Sequence, residues 1–491
     1  MIDETQARLA RLQAMRDAGI DPYPSTTQRS NTVAEFLEDF ETFQSSQQDL
    51  SLVGRVRLIR THGGLTFCQI QDGSGLVQIV IRKDHVGETS YKQFLQIMDI
   101  GDFLQCTGKA FVTKKGEKSL DVFAYAPLAK SLLPLPEKWH GLSDVETRFR
   151  KRYLDLIMNA EVRERLLARS RIIVAIRSLL DSRGFIEVET PTLQPVYGGG
   201  FARPFKTHHN ALDADFFLRI SDEMYLKRLI VGGFEKVYEI TKVFRNEGID
   251  RDHNPEFTMF EAQIAYQNYL YGMDLFEEIF EFAAKQALGK TSVLHGETTI
   301  ELARPWKRMK LVEAVEKIGG LESNTWDNEK KAREELKKKL PKSQHEIIDQ
   351  MQTVGELMAF AFEELVEEKL IQPTIIYDYP VEVSPLAKKC SDQKFVERFE
   401  AFALGSEIGN NYSELNDPVD LEKRFVAEKA REKAGFEEAH QTDEDYLEAI
   451  KHGMPPVCGL GIGVDRMVML LTGAENIKEV ILFPTLRPEI K

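Results

Sequence analysis

Residues 244–261, FRNEGIDRDHNPEFTMFE, constrain this chain more than any other stretch, because they set an arginine, acids, a histidine and an aromatic in a loop bounded by two strand-like runs. Upstream, Val237, Glu239, Thr241 and Val243 alternate with Tyr238, Ile240, Lys242 and Phe244, a period of two that leads into Arg245. Downstream the alternation resumes. Thr258, Phe260, Ala262, Ile264 and Tyr266 form one mostly apolar face, and Phe257, Met259, Glu261 and Gln263 form the other. Such a hairpin can hold an anion on the arginine and a flat base on the aromatic. The bland alternative is a surface hairpin with a solvated tip. Glu261 and Gln263 argue against it, since they stand inside an apolar strand.

The 491 residues are too many for one ordinary core, so two or three domains are expected. No apolar run approaches membrane-spanning length, and the start, MIDETQARLARLQAMRDAGI, carries acids where a signal peptide needs an apolar core. A cytoplasmic protein is expected, with no membrane contact. Cys68, Cys106, Cys390 and Cys458 are widely spaced with no CxxC pair, which argues against a zinc site or a disulfide framework. The net charge of −14 repels polyanions at long range, so any nucleic-acid contact needs segregated basic residues. Two clusters qualify: Lys114, Lys115 and Lys118 around a glycine turn, and Arg148, Arg150, Lys151 and Arg152. Either reads equally well as a solvated face or, for the arginines, as partners of acids at a subunit contact.

Residues 1–50 read as a polar helical extension ending in the loose SSQQD stretch. The period then changes, with strand-like runs at 52–59, 65–71, 76–81, 103–112 and 120–125 separated by turn signals such as DGSG at 72–75. Five short strands in this span suit a small barrel of the oligonucleotide-binding type. After the basic segment, taken as a linker over 131–155, a helix over 163–182 places Ile172, Ile173, Ile176, Leu179 and Leu180 on one face and stops at Gly184. A strand ending in Pro191 follows. Near the other end, residues 459–466, GLGIGVDR, form a glycine-punctuated strand entering an apolar helix that Gly473 closes, with Arg466 in the first turn, where helix N-termini attract anions. The GxGxG spacing is not a dinucleotide fingerprint, and Gly289-Lys290-Thr291 is not a P-loop, because Ala284 stands where that motif needs glycine. The acid-rich stretch 398–417 puts Asn410, Tyr412 and Glu414 on one face if it is extended. Residues 296–372 read as a helical insertion with a charged helix over 327–340 and a more apolar one near 354–370.

Residues 244–261 resemble motif 2 of the class II aminoacyl-tRNA synthetases, and the wording FRNEG…HNPEF is closest to the lysyl-tRNA synthetases. Residues 185–191 resemble motif 1 and residues 459–466 motif 3, so the resemblance spans nearly the whole chain. It implies an α+β fold: a five-stranded OB-type anticodon-binding barrel over 51–130, then a catalytic domain over 156–491 built on an antiparallel sheet flanked by helices. It also implies ATP, Mg²⁺, L-lysine and tRNA(Lys) as ligands, with a homodimer formed through motif 1. Arg245 would hold the α-phosphate and the amino-acid carboxylate, Phe257 would stack on adenine, Glu247 and His253 would contact ATP, and Arg466 would seat the γ-phosphate. Arg245 and Arg466 are the expected catalytic pair. Glu400 and Glu407 would hold the metal, in keeping with the preference of that ion for hard oxygen ligands. Asn410, Tyr412 and Glu414 would line the lysine pocket, Glu223 and Glu261 would surround the amino groups, and the backbone of Gly199 would meet the α-amino group. At position 263 the family usually shows tyrosine, whereas this chain has Gln263, whose carbonyl can accept the same proton.

In the barrel, Phe67 and Gln78, then Arg55 and Glu117, are the expected anticodon contacts. Phe67 is equally readable as barrel core. The insertion is placed near the acceptor stem. Two rival readings remain at this level: an enzyme of the same catalytic fold that lysylates elongation factor P, and a non-catalytic RNA-binding paralogue. The barrel argues against the first, and the presence of Arg245, Arg466, Glu400 and Glu407 against the second.

Overall fold

The computed structural model describes residues 2–136, 142, 144–200, 202–433 and 443–489. The chain divides into two units, 1–143 and 144–491. In the first, β1 (Leu50–His62), β2 (Leu65–Gln71), β3 (Leu76–Arg82), β4 (Phe103–Val112) and β5 (Lys118–Ala129) pair in the circuit β1-β2-β3-β5-β4 and close into a barrel, parallel only between β3 and β5. Strict alternation builds it. In β2, Thr66, Cys68 and Ile70 are buried while Leu65, Phe67, Gln69 and Gln71 are half-buried. Residues 1–50 are not a mere polar extension. The helices Val33–Glu38 and Phe40–Ser46 send Phe36, Phe40 and Phe43 into the same core as Leu52, Ile70 and Ile79, joined by Met15 of the helix Ile2–Asp17. Val33, Phe36, Phe40 and Phe43 keep helical spacing across the break at Asp39, a signal that the reading of this stretch as polar passes over.

The strands of the second unit are β6 (Ile186–Glu187), β7 (Leu193–Gln194), β8 (Lys206–His209), β9 (Ala214–Leu218), β10 (Lys236–Phe244), β11 (Glu256–Ala265), β12 (Ser292–His295), β13 (Thr298–Glu301), β14 (Lys307–Lys310), β15 (Thr374–Pro380), β16 (Phe395–Ala403), β17 (Ser406–Ser413) and β18 (Val457–Gly463). Eight of them form one sheet in the order β14-β15-β16-β17-β18-β11-β10-β6, antiparallel except at its two ends. Helices Ala160–Ser182 and Tyr269–Leu288 cover one face, where Phe260, Ala262 and Ile264 of β11 pack with Ile172, Ile176, Phe276 and Phe280. The first helix ends at Gly184, which takes φ +76° while Phe185 N–H donates back to the Leu180 carbonyl, a left-handed cap that favours glycine. The apolar face of β11 stops one residue early: Tyr266 leaves the strand at φ +63° and is exposed.

Two further expectations are corrected. The span 296–372 is not wholly helical, since it opens with the β12–β13 hairpin and β14, which joins the sheet edge, before its helices begin. The supposed basic linker is structured over its second half, as the helices Val145–Arg150 and Arg152–Met158; residues 137–141 and 143 lie outside the described set. Its arginines are engaged. Arg152 is fully buried, pairs with Asp155 at 2.8 Å and donates to the carbonyls of Lys478, Ile481 and Leu482. Arg148 also pairs with Asp155, and Arg150 with Glu146 and Glu489. In the first unit Lys118 pairs with Glu41, which leaves Lys114 and Lys115 exposed at the β4–β5 turn. All four cysteines are free thiols. Among the described residues, no helix is long and apolar enough to cross a membrane.

Candidate active site

The face of the large sheet opposite the two covering helices carries a cleft of about 360 Å³. Period two decides its walls. β11 contributes Phe257, Met259, Glu261 and Gln263, β17 contributes Asn410 and Tyr412 with Glu414 just beyond it, and β18 presents Gly459, Gly461 and Gly463. The registers bring these together: Gln263 stands opposite Gly459, and Asn410 opposite Gly461. A Cβ at Gly459 would lie 2.2 Å from Glu414 Oε1 and 2.9 Å from Gln263 Nε2, so any side chain there would fill the space these two residues share. Gly199, Glu223, Arg245, Glu247, His253, Glu407 and Arg466 also stand on the wall, so that of the expected cleft residues Glu400 alone is missing from it. Gly199 has φ +83°, and a Cβ would sit 2.7 Å from Ser221 Oγ, which makes glycine obligatory on both counts.

One part of the cleft is built for anions. Arg245 follows β10 directly, tied by its N–H to the Pro255 carbonyl, with its guanidinium 5.3 Å from the centre of the Phe257 ring. Its Nε is buried without a hydrogen-bond partner, an open donor of the kind folded proteins rarely leave. Arg466, in the first turn of the helix Val464–Thr472, donates to the Glu407 carboxylate at 3.0 Å and lies 3.1 Å from His253 Nε2; His253 Nδ1 is in turn held by Asp250. Burial, with Glu400 nearby, pushes Glu407 above the usual carboxylate range against the pull of Arg466 and Arg245. Glu400 is not on the wall. It lies on β16 opposite Asn410, accepting a hydrogen bond from the Tyr379 hydroxyl at 2.7 Å and pairing with Arg398. Glu367 faces the same acids, and burial together with Glu400, Glu363 and Glu407 raises it to about 7.

The other part is built for cations. Glu223, Glu261 and Glu414 are all buried and all line the cleft. Burial first, then Glu223, raises Glu261 to about 7; burial, with Glu223 opposing Lys227, raises Glu414 to about 8. Ser221 donates to Glu261 at 2.7 Å, and the Tyr412 hydroxyl donates to Glu223. The Oε1 of Gln263 has no partner. Behind the wall, Asp222 is fully buried against Glu261, and burial beside Glu261 and Glu239 holds its carboxyl well above the usual range.

Sequence reasoning missed Lys227. On the helix Glu223–Val231 it pairs with Glu223 and, at 2.5 Å, with Glu414, and it is wholly buried. The only sequence signal is Glu-to-Lys spacing of four, which normally marks a solvated helix face. It also missed Arg398, which links Glu400 to Asn410 across β16 and β17.

In the barrel, Arg55, Phe67 and Gln78 fall on the outward face of β1–β3: Gln78 is opposite Gln69, two residues from Phe67, and Arg55 is opposite Gln71. Phe67 is half-buried and not part of the barrel core, which removes the reading of it as core. Arg55 lies 4.3 Å from the centre of the Phe103 ring and Gln78 donates to Ser119 Oγ. Glu117 is exposed at the β4–β5 turn, where Ser119 Oγ donates to its carbonyl.

Known proteins resemble this chain along nearly its whole length. A family described as tRNA synthetases class II (D, K and N) matches residues 144–487, and one described as OB-fold nucleic acid binding domain matches residues 50–128. The lysine–tRNA ligase of Moorella thermoacetica is 48% identical over 488 residues, covering 99% of this chain and 98% of that protein. The lysine–tRNA ligase of Thermoanaerobacter pseudethanolicus is 48% identical over 484 residues, covering 98% and 95%. The lysine–tRNA ligase 2 of Methanosarcina acetivorans is 47% identical over 485 residues, covering 98% and 94%.

Proposed function

The chain belongs to the class II tRNA synthetases of the aspartate, lysine and asparagine group, and on that premise we propose that it attaches L-lysine to tRNA(Lys) at the cost of ATP, through a lysyl-adenylate. The observation that carries lysine over aspartate or asparagine is the sign of the amino-acid pocket. Glu223, Glu261 and Glu414 converge there, and the cation among them, Lys227, is already paired. A substrate carboxylate in that place would meet repulsion of about 1–4 kcal/mol per close pair, whereas a second ammonium is attracted by the same amount.

Arg245 holds the α-phosphate and the lysine carboxylate, its open Nε–H being one donor for them, with Phe257 against adenine and Glu247 and His253 on the nucleotide. Arg466 and the helix N-terminus behind it take the γ-phosphate. A carboxylate oxygen of lysine attacks the α-phosphorus in line as the bond to pyrophosphate breaks; the terminal ribose hydroxyl of tRNA then displaces AMP. No side-chain nucleophile is needed, and positioning with charge neutralisation carries the step. Gly199, Glu223 and Glu261 receive the α-ammonium, and Glu414, Gln263, Asn410 and Tyr412 the side chain.

The donor set at Glu407 and Glu400 fits Mg²⁺. Both offer hard oxygens, and their mutual repulsion is of the kind a cation relieves, but Arg466 holds Glu407 and Arg398 with Tyr379 holds Glu400 off the wall, so the ion would have to replace these contacts. Among the described residues no three acids, histidines or cysteines converge as a metal cluster, so these two carboxylates would share the ion with ATP phosphates. The ion would neutralise developing phosphate charge. Arg55, Phe67, Gln78 and Glu117 read the anticodon, with Phe67 as the stacking platform. Exposed Leu167, Val174, Ile186 and Leu193 support a homodimer through the motif 1 region, and the cytoplasm is the place of action. Lysine-dependent exchange of pyrophosphate into ATP, and lysylation of tRNA(Lys), test the reading; exchange supported by aspartate or asparagine instead of lysine would refute it.

A further inference from the structure

Lys227 does not line the cleft, yet its ammonium is the fixed cation of the amino-acid pocket. It is fully buried between Glu223, four residues away on its own helix, and Glu414 beyond β17. Tyr412 of β17 and Tyr446 of the helix Glu444–Lys451 turn their ring faces to it, at 5.3 and 5.9 Å from ring centre to Nζ. The other groups that bear on Glu414 are Gln263 on β11, the buried thiol of Cys458 on β18 and, through Glu223, Glu261 on β11. Arg228, on the same helix as Lys227, is occupied by Asp443 and Asp445.

Three pocket carboxylates against one ammonium leave two negative charges. We propose that Lys227 is a specificity-determining positioning residue: it permanently neutralises one of the three carboxylates and anchors Glu414, so that the pocket is balanced by an amino acid bringing two cationic groups. This rests on the reading of the site as a lysine site. In the free protein burial makes Glu414, and Glu261 with Arg245 and Asp222 facing it, hold protons more tightly than ordinary carboxyls. The α- and side-chain ammonium groups of the substrate replace those protons on binding. Without Lys227, Glu414 loses an attractive cation and keeps its proton to higher pH.

The test is the pH profile of lysine binding to the full chain, measured by calorimetry between about pH 6.5 and 8.5 and read as the ratio of variant to parent, so that titration of the lysine α-ammonium cancels. Lys227→Met should weaken lysine binding by about tenfold or more near neutral pH, with the deficit shrinking as pH rises, while ATP binding stays within about twofold of the parent. Lys227→Arg, which keeps the charge, should follow the parent profile even if its affinity differs by a constant factor. A deficit of equal size at every pH would make Lys227 a packing element, and tighter lysine binding by Lys227→Met near neutral pH would make it a competitor of the substrate; either overturns the proposal. If Lys227→Met does not fold, the arginine variant decides alone, since a displaced profile with the charge retained contradicts the role. Failure of the unaltered chain to bind lysine at any pH while binding ATP would remove the substrate reading, and this proposal with it.

Discussion

Glu414→Gln separates binding from stability, because the two respond in opposite directions to the same carboxyl group. Glutamine keeps the shape and leaves Lys227 with Glu223 as its partner, so no buried ammonium is orphaned. Removing one partner of a buried ion pair costs roughly 3–5 kcal/mol, and this applies to the substrate ammonium once it is bound. Part of that is offset near pH 7. With its carboxyl raised to about 8, Glu414 must first lose a proton to receive the ammonium, at about 1.4 kcal/mol. The net loss is then about 1.6–3.6 kcal/mol, or roughly 15- to 450-fold in lysine affinity, and it should widen as pH rises past 8. Stability behaves otherwise. A carboxyl whose folded titration point lies above its unfolded one contributes stability below about 4.5 that is lost as pH rises toward 8. That loss has an upper bound of about 5 kcal/mol, and glutamine is free of it. The variant should therefore gain on the parent in denaturant unfolding as pH is raised from 5 to 8.5 while binding lysine poorly throughout. Calorimetric titration with lysine, with ATP as control, reads the first effect, and urea unfolding the second. Lysine affinity within about threefold of the parent at pH 8.5 would refute the reasoning and move the ammonium to another carboxylate.

Arg245→Ala should lower lysine-dependent pyrophosphate exchange by roughly 10²–10³ in a folded protein, the usual loss for a preorganised donor, and near-normal exchange would dismiss it from the anion site. Phe67→Ala should cost tRNA lysylation about 1–3 kcal/mol and leave exchange and thermal stability intact, because the ring lies outside the barrel core; a fall in melting temperature with both activities would contradict its outward placement. Arg152→Met should destabilise the catalytic unit by about 1–3 kcal/mol, since Asp155 keeps Arg148 while the carbonyls of Lys478, Ile481 and Leu482 lose their donor, with any loss of tRNA charging following the folded fraction; a stable variant with weaker tRNA affinity would return the junction to the RNA.

Local periodicity reached a long way into this protein. Alternation alone laid out the barrel strands, the two faces of β11 and the face shared by Asn410, Tyr412 and Glu414, because side-chain direction in a strand depends only on parity. Gly184 and Gly473 were legible as helix ends for an equally local reason, the left-handed backbone each adopts. The tertiary structure decided what parity cannot: which charges meet. Lys227 carries no sequence signal beyond its spacing of four from Glu223, and folding closes Glu414 over it. The arginines of the junction read in sequence as a nucleic-acid contact, a solvated face or partners of acids at a subunit contact, whereas within the chain Asp155 and the carbonyls of Lys478, Ile481 and Leu482 enclose Arg152. Glu400 and Glu407 differ in the same way, one held by Tyr379 and Arg398 off the wall and the other facing the cleft beside Arg466. A charge takes its role from neighbours distant in sequence and from the water that burial removes, and neither is written in the local order of residues.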